Sequence, residues 1–123
     1  MGCSAYLEKA LLDWALQGAT PTRPTALFVG WATQSPNATS DFAAPVVRKT
    51  ASFAAASSPQ GSASNRLAIT ATATAACTLV GFNLYDATTS GNRLFWGTLT
   101  SSLGCASADN PAFAAGALVV QMS

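Results

Sequence analysis

The sequence contains no histidine. That absence removes the side chain most used as a general base near neutral pH, and the commonest metal ligand with it. A serine–histidine–acid triad therefore cannot be built, although serine is plentiful. Charge is scarce too. Asp, Glu, Lys and Arg make up 9% of residues, against about 25% in typical soluble domains. The charges sum to +1 and are scattered, Arg48 and Lys49 being the one adjacent like-charged pair. No basic patch can be argued, so no nucleic-acid partner is expected.

Cysteine is limited to Cys3, Cys77 and Cys105. An odd number at wide spacing is neither a disulfide framework nor a zinc signature. The three are expected to be unbridged thiols made in a reducing cytoplasm, a Cys77–Cys105 bridge being the alternative. No apolar run approaches the roughly 18 residues needed to cross a bilayer, and the N-terminus has no basic region leading into a long apolar stretch. Neither a membrane nor a secretory route is expected. The sequon Asn37-Ala38-Thr39 is then a chance match. The glycines follow no phosphate-loop or dinucleotide pattern. Asp41, Asp86 and Asp109 fall in predicted loops, where turn capping is a simpler role than an acid/base pair or a calcium site. No cofactor, metal or catalytic residue is expected, and the chain does not read as an enzyme.

What is present is apolar and small. Half of the 123 residues are hydrophobic, enough for one domain with a real core. With so little charge, the surface must be covered by Ser, Thr, Ala, Asn and Gly. Such a surface repels like copies weakly and can be buried at little desolvation cost. It fits a small-residue β protein of Ala-rich composition, or a subunit held inside an assembly.

Ser4 to Gln17 reads as the one helix, with Ser4 as N-cap and Gly18 as the stop. Leu7, Leu11 and Trp14 share a face with Ala15. That stripe can dock on the chain's own sheet or on a neighbouring subunit. Pro21 and Pro24 stiffen the connector that follows. Residues 25–33 form a predicted strand that is apolar on both faces. Residues 34–44 are a loop, and 46–53 a strand in which Lys49 suggests an edge or a bulge. Residues 54–65 are a small, polar loop. A third strand begins at Arg66, with Leu67 and Ile69 inward, and grades into an Ala/Thr repeat that does not choose between strand and loop.

The chain is organised around the next stretch. Residues 78–85 and 93–98 alternate as strands and flank Asp86-Ala87-Thr88-Thr89-Ser90-Gly91-Asn92, a run of turn formers. Val80, Phe82 and Leu84 are expected on one face, with Leu79, Gly81, Asn83 and Tyr85 on the other. A hairpin this greasy should be the central pair of a packed sheet. Residues 99–111 read as a second long loop. Residues 112–122 read as the closing strand, with Leu118 and Val120 on one face and Val119 opposite. Trp31 and Trp96 within apolar strands, and Trp14 on the helix stripe, are expected in the core rather than on a sugar-stacking platform. The expected fold is all-β: a β-sandwich or jelly-roll-like barrel spanning residues 1–123, with a short N-terminal helix at about 4–17.

Five pieces, in order, carry a resemblance to a family of small tailed-phage virion structural proteins. Tyr6-Leu7-Glu8 and Leu11-Leu12-Asp13, followed by Pro24-Thr25-Ala26-Leu27-Phe28-Val29, resemble the family's opening helix and strand. Thr50-Ala51-Ser52-Phe53-Ala54-Ala55-Ala56 resembles its strand ending VTFAAA. Leu84 to Leu94 resembles its hairpin IFDAATGGNLL, and Phe113-Ala114-Ala115-Gly116-Ala117-Leu118 its ending FAAGDL. Ala117 stands where the family has an acid, and residues 104–111 lack its N-A-G-D turn. Members are often labelled tail-fibre proteins, and similar small β proteins serve as capsid decoration or cement subunits. The resemblance brings no catalytic residues.

It implies a decoration protein that binds and stabilises an assembled head lattice, partnered by the major capsid protein and by itself as a dimer or trimer. The alternative it implies is a tail- or fibre-associated module for host-surface attachment. The contact elements expected are the helix, through Tyr6, Leu7, Leu11 and Trp14, and the loops 34–44, 54–65 and 101–111, through Pro36, Asn37, Phe42, Pro59, Arg66 and Pro111.

Overall fold

A computed structural model describes residues 2–20, 24–56 and 61–121. Strand β1 (Gly2–Cys3) leads into helix α1 (Ala5–Gln17). The helix begins and ends where the capping residues predict. The Ser4 hydroxyl oxygen accepts from the Leu7 N–H at 3.2 Å, and the same hydroxyl donates to the Arg93 carbonyl. The cap thus ties the helix start to a distant strand. Gly18 stops the helix in the left-handed region, at φ 72°, with its N–H on the Asp13 carbonyl; glycine takes that conformation without a Cβ penalty.

The remaining strands are β2 (Leu27–Ala32), β3 (Lys49–Ala51), β4 (Ser62–Ser64), β5 (Ile69–Thr70), β6 (Cys77–Tyr85), β7 (Arg93–Cys105), β8 (Ala112–Phe113) and β9 (Val119–Gln121). Four of these join β1 in an antiparallel sheet of order β1-β7-β6-β2-β3. The hairpin β6–β7 lies inside this sheet, as its apolar content requires. Lys49 is in β3 at the sheet's edge, where a charge can stay wet. Two ribbons, β4–β9 and β5–β8, pair separately. Together with the helix this is the all-β fold expected from the sequence.

The ribbons pack over one face of the sheet. Ile69, Ala71, Leu118 and Val120 on the ribbon side join Val29, Trp31, Leu79, Phe82 and Leu84 of the sheet in one buried cluster. Phe113 stacks on Trp31 with centroids 5.4 Å apart and meets Phe82 edge-on at 6.2 Å. Leu118 and Val120 are buried while Val119 is 41% exposed, the alternation that the sequence predicts.

Several expectations are corrected. The pairing of β6 with β7 shifts register between Leu79 and Gly81, so Leu79 joins Phe82 and Leu84 in the core rather than facing the other way; a bulge resets the period of two. Strand β7 continues to Cys105 instead of stopping near Thr98. Residues 100–104 are exposed and, apart from Leu103, small or polar, so no apolar alternation marks them, yet backbone pairing to β6 needs none. The predicted strand 46–53 contracts to β3, flanked by isolated bridges from Val46 to Ala73 and Phe53 to Asn65. Leu67, expected inward, is 69% exposed. Trp14 is 57% exposed and no residue of α1 is buried, so the helix stripe does not reach the core.

Candidate functional site

The face of the sheet opposite the ribbons is covered by the chain between β2 and β3. Thr33 and Phe42 close that excursion through the Thr33 N–H on the Phe42 carbonyl. Within it the Asn37 side chain accepts from the N–H groups of Thr39 and Ser40 at 2.9 and 2.8 Å, an Asx turn of the kind that asparagine favours. Pro36 is buried over Gly81; a Cβ there would come within 2.5 Å of the proline ring and 2.7 Å of the Gly97 carbonyl oxygen.

Beneath this loop lies a polar cluster. Asn83, fully buried at the centre of β6, donates from Nδ2 to the Asp41 carbonyl at 2.9 Å and accepts at Oδ1 from Arg93 at 2.8 Å. Arg93 also donates to the carbonyls of Ser40, at 3.0 Å, and Asn37. The Tyr85 hydroxyl donates to an Asp41 carboxylate oxygen at 2.9 Å. Arg48 lies across the Tyr85 ring, its guanidinium carbon 3.3 Å from the centroid, and donates to the carbonyls of Ala87 and Ser90 in the β6–β7 turn, each at 2.9 Å. Burial, with the hydrogen bond to Asp41 next, pushes the Tyr85 phenol up to about 12. Burial lowers Arg93 from the usual guanidinium value.

This cluster is structural. Among the described residues no buried side-chain nitrogen or oxygen lacks a partner, and the guanidinium groups are spent on backbone carbonyls and on the Asn83 side chain. It pins loop 34–48 and the hairpin turn to the sheet. The signal in the sequence was Asn83 and Tyr85 sharing one face of an otherwise apolar strand. Their partners Asp41, Arg48 and Arg93 carried no local mark. Asp86 and Asp109 are turn caps: Asp86 accepts from the Asn92 N–H at 2.7 Å and Asp109 from the Ala106 N–H at 2.8 Å.

The residues nominated as contacts are divided by the sheet. Helix α1 rests against β1 and β7 with Leu7 and Leu11 half-buried, while Tyr6 and Trp14 are 45% and 57% exposed. The Ala5 N–H bonds the Ala38 carbonyl at 3.0 Å, so the helix start adjoins the loop that holds Pro36, Asn37 and Phe42. Asn37 and Phe42 are exposed, and Pro36 is not. Arg66 and Pro111 belong to the ribbon layer. Arg66 is exposed, while Pro111 is buried and accepts from the Ala71 N–H. Pro36 and Pro111 are therefore packing residues of this chain and offer no free surface. Pro59 lies outside the described residues.

Leu12, which the sequence placed beside the apolar stripe, is 58% exposed on α1, and Leu16, which the sequence did not single out, is 78% exposed. An apolar cavity of about 280 Å³ also opens between the sheet and the β4–β9 ribbon, lined by Leu27, Phe53, Leu84, Phe95 and Val120. Among the described residues no three His, Cys, Asp or Glu side chains converge to hold a metal, and no helix is long and apolar enough to cross a membrane.

Comparison with protein-family models matches residues 2–121 to the family described as podophage GP4 fiber I protein gp80. No match was found among curated proteins.

Proposed function

The chain belongs to the podophage GP4 fiber I protein gp80 family, a family of phage virion structural proteins, and from that premise we propose that it is a tail- or fibre-associated virion module, built into the particle for attachment at the host surface. The observation that carries this reading is the family match over residues 2–121, whose description is of a fibre protein. It favours the fibre role over the capsid-cement role, which the sequence resemblance had put first. The protein acts by binding and turns nothing over. Its polar cluster is closed on itself, and it has no histidine to move protons.

Its partners are further copies of itself and other components of the tail. The contact surface on this reading is the outer side of α1 and its margin, where Tyr6, Leu12, Trp14 and Leu16 stand exposed. Isolated helices of this length are marginal in water, and exposed apolar surface of this kind commonly marks an interaction site.

Copy number on purified particles tests the proposal. A handful of copies, labelled at the tail by an antibody or resolved there by cryo-electron microscopy, is the expected result. Hundreds of copies spread over the head would instead mean contact with the major capsid protein, and would overturn the fibre reading.

A further inference from the structure

Cys77 opens β6 and Cys105 closes β7, and the two are direct partners in the antiparallel register. Residues opposed in this way have Cα atoms roughly 4.5–5.5 Å apart, within the span of about 4.4–6.8 Å that a disulfide bridges. Their side chains lie on one face: Cys105 belongs to the buried cluster and Cys77 packs against it half-buried. All three cysteines are thiols in this structure. Cys3 on β1 pairs with Phe95 of β7, which faces Leu84 of β6, seven residues along that strand from Cys77, or about 23 Å at strand rise. It cannot compete for either partner within one molecule.

We propose that Cys77 and Cys105 form a cross-strand disulfide on exposure to a small disulfide oxidant, locking the open end of the central hairpin. The step is thiol–disulfide exchange. The Cys77 thiolate, the more accessible of the two, attacks one sulfur of oxidised glutathione and expels one glutathione thiolate. The Cys105 thiolate then attacks the Cys77 sulfur of this mixed disulfide and expels the second glutathione as its thiolate. Both cysteines are oxidised, one oxidised glutathione is reduced to two thiols, and the two cysteine protons pass to water or to the released thiolates. Burial holds the Cys105 thiol above its ordinary range, and the neighbouring Cys77 adds to this, so closure speeds up as pH rises. On the virion reading, the pair stays reduced in the host cytoplasm and closes after lysis.

The purified full-length chain, first reduced, is incubated with oxidised glutathione at pH 8. The expected result is a loss of two hydrogens by intact mass, a linked Cys77–Cys105 peptide on digestion, Cys3 still open to alkylation, and a melting temperature raised by about 5 °C or more. C3S should behave as the native chain, and C77S and C105S should each abolish the bond. Peptide mapping of the native chain stands even if a variant fails to fold. Cys77 and Cys105 remaining fully alkylatable, a bond that involves Cys3, or a lowered melting temperature would each overturn the proposal. These outcomes are independent of the particle location of the protein. Alkylation at the moment of lysis, compared with alkylation a day later, tests the compartment separately.

Discussion

Arg48 lies over the ring of Tyr85, its guanidinium carbon 3.3 Å from the centroid, and reaches past it to the carbonyls of Ala87 and Ser90. One side chain thereby fastens three segments: the approach to β3, the end of β6 and the hairpin turn. R48A should destabilise the protein by about 2 kcal/mol, the sum of a partly desolvated cation–π contact and two hydrogen bonds discounted for exposure. R48K should recover little, because an ammonium cannot stack and fork as a guanidinium does. Urea denaturation gives the magnitude. Hydrogen exchange at the 86–92 amides should show the turn loosening first.

Alkaline pH should weaken the fold through Tyr85. Its folded value of about 12 lies above the ordinary 10.0, so folding favours the protonated phenol. The stability it contributes is fully present below pH 10 and is lost as pH rises from about 10 to about 12. The phenolate would also face the Asp41 carboxylate. Absorbance titration should show one tyrosine ionising late. Y85F should remove that transition and flatten the alkaline decline, while costing about 1–2 kcal/mol at neutral pH for the lost hydrogen bond to Asp41.

Asn65 is the most exacting polar position of the ribbon layer. It is 2% exposed. Its Nδ2 donates to the carbonyls of Leu67 and Ala114 at 2.8 and 3.0 Å, and its Oδ1 accepts from the Leu118 N–H at 2.9 Å. N65A takes the side-chain partner from the Leu67 carbonyl and the Leu118 N–H, while the Ala114 carbonyl keeps its bond from the Ala117 N–H, and should cost about 2–4 kcal/mol. N65D keeps the acceptor, loses both donors and adds a charge, so it should be no better. Chemical denaturation of the two variants beside the native chain measures this.

The tryptophans should separate cleanly. Trp31 is 2% exposed and stacked on Phe113, so W31A should cost about 3–5 kcal/mol. Trp14 is 57% exposed, so W14A should change stability by less than about 0.5 kcal/mol. On the proposed function, the combined W14A and L16A changes should leave the melting curve in place and lower incorporation into particles. Thermal melts and particle blots of the same variants give both readouts.

Much of the local structure was legible in the residues. Ser4 and Gly18 bounded the helix, Asp86 to Asn92 marked the turn, and Leu118 and Val120 alternated with Val119, because caps, turns and pleats are set by neighbours in sequence. The candidate site was less so. Tyr6 and Trp14 are exposed as contact residues must be, but Pro36 and Pro111 carried the same composition signal as a free loop and are buried. Proline in a loop does not record which sheet the loop will fold against.

Sequence alone determined the absence of histidine, the all-β character, the helix boundaries and the central hairpin. Each follows from residue types present or missing, or from a period within one segment. Tertiary structure decided the rest. It placed Leu79 inside by a bulge, ran β7 on to Cys105, set Cys77 opposite that cysteine, and joined Asp41, Arg48 and Arg93 to a strand some forty residues from the first two. These are pairings between distant segments, settled by which apolar faces meet and which buried polar groups must find partners. No local pattern contains that information, because the partner is absent from the window in which the pattern is read.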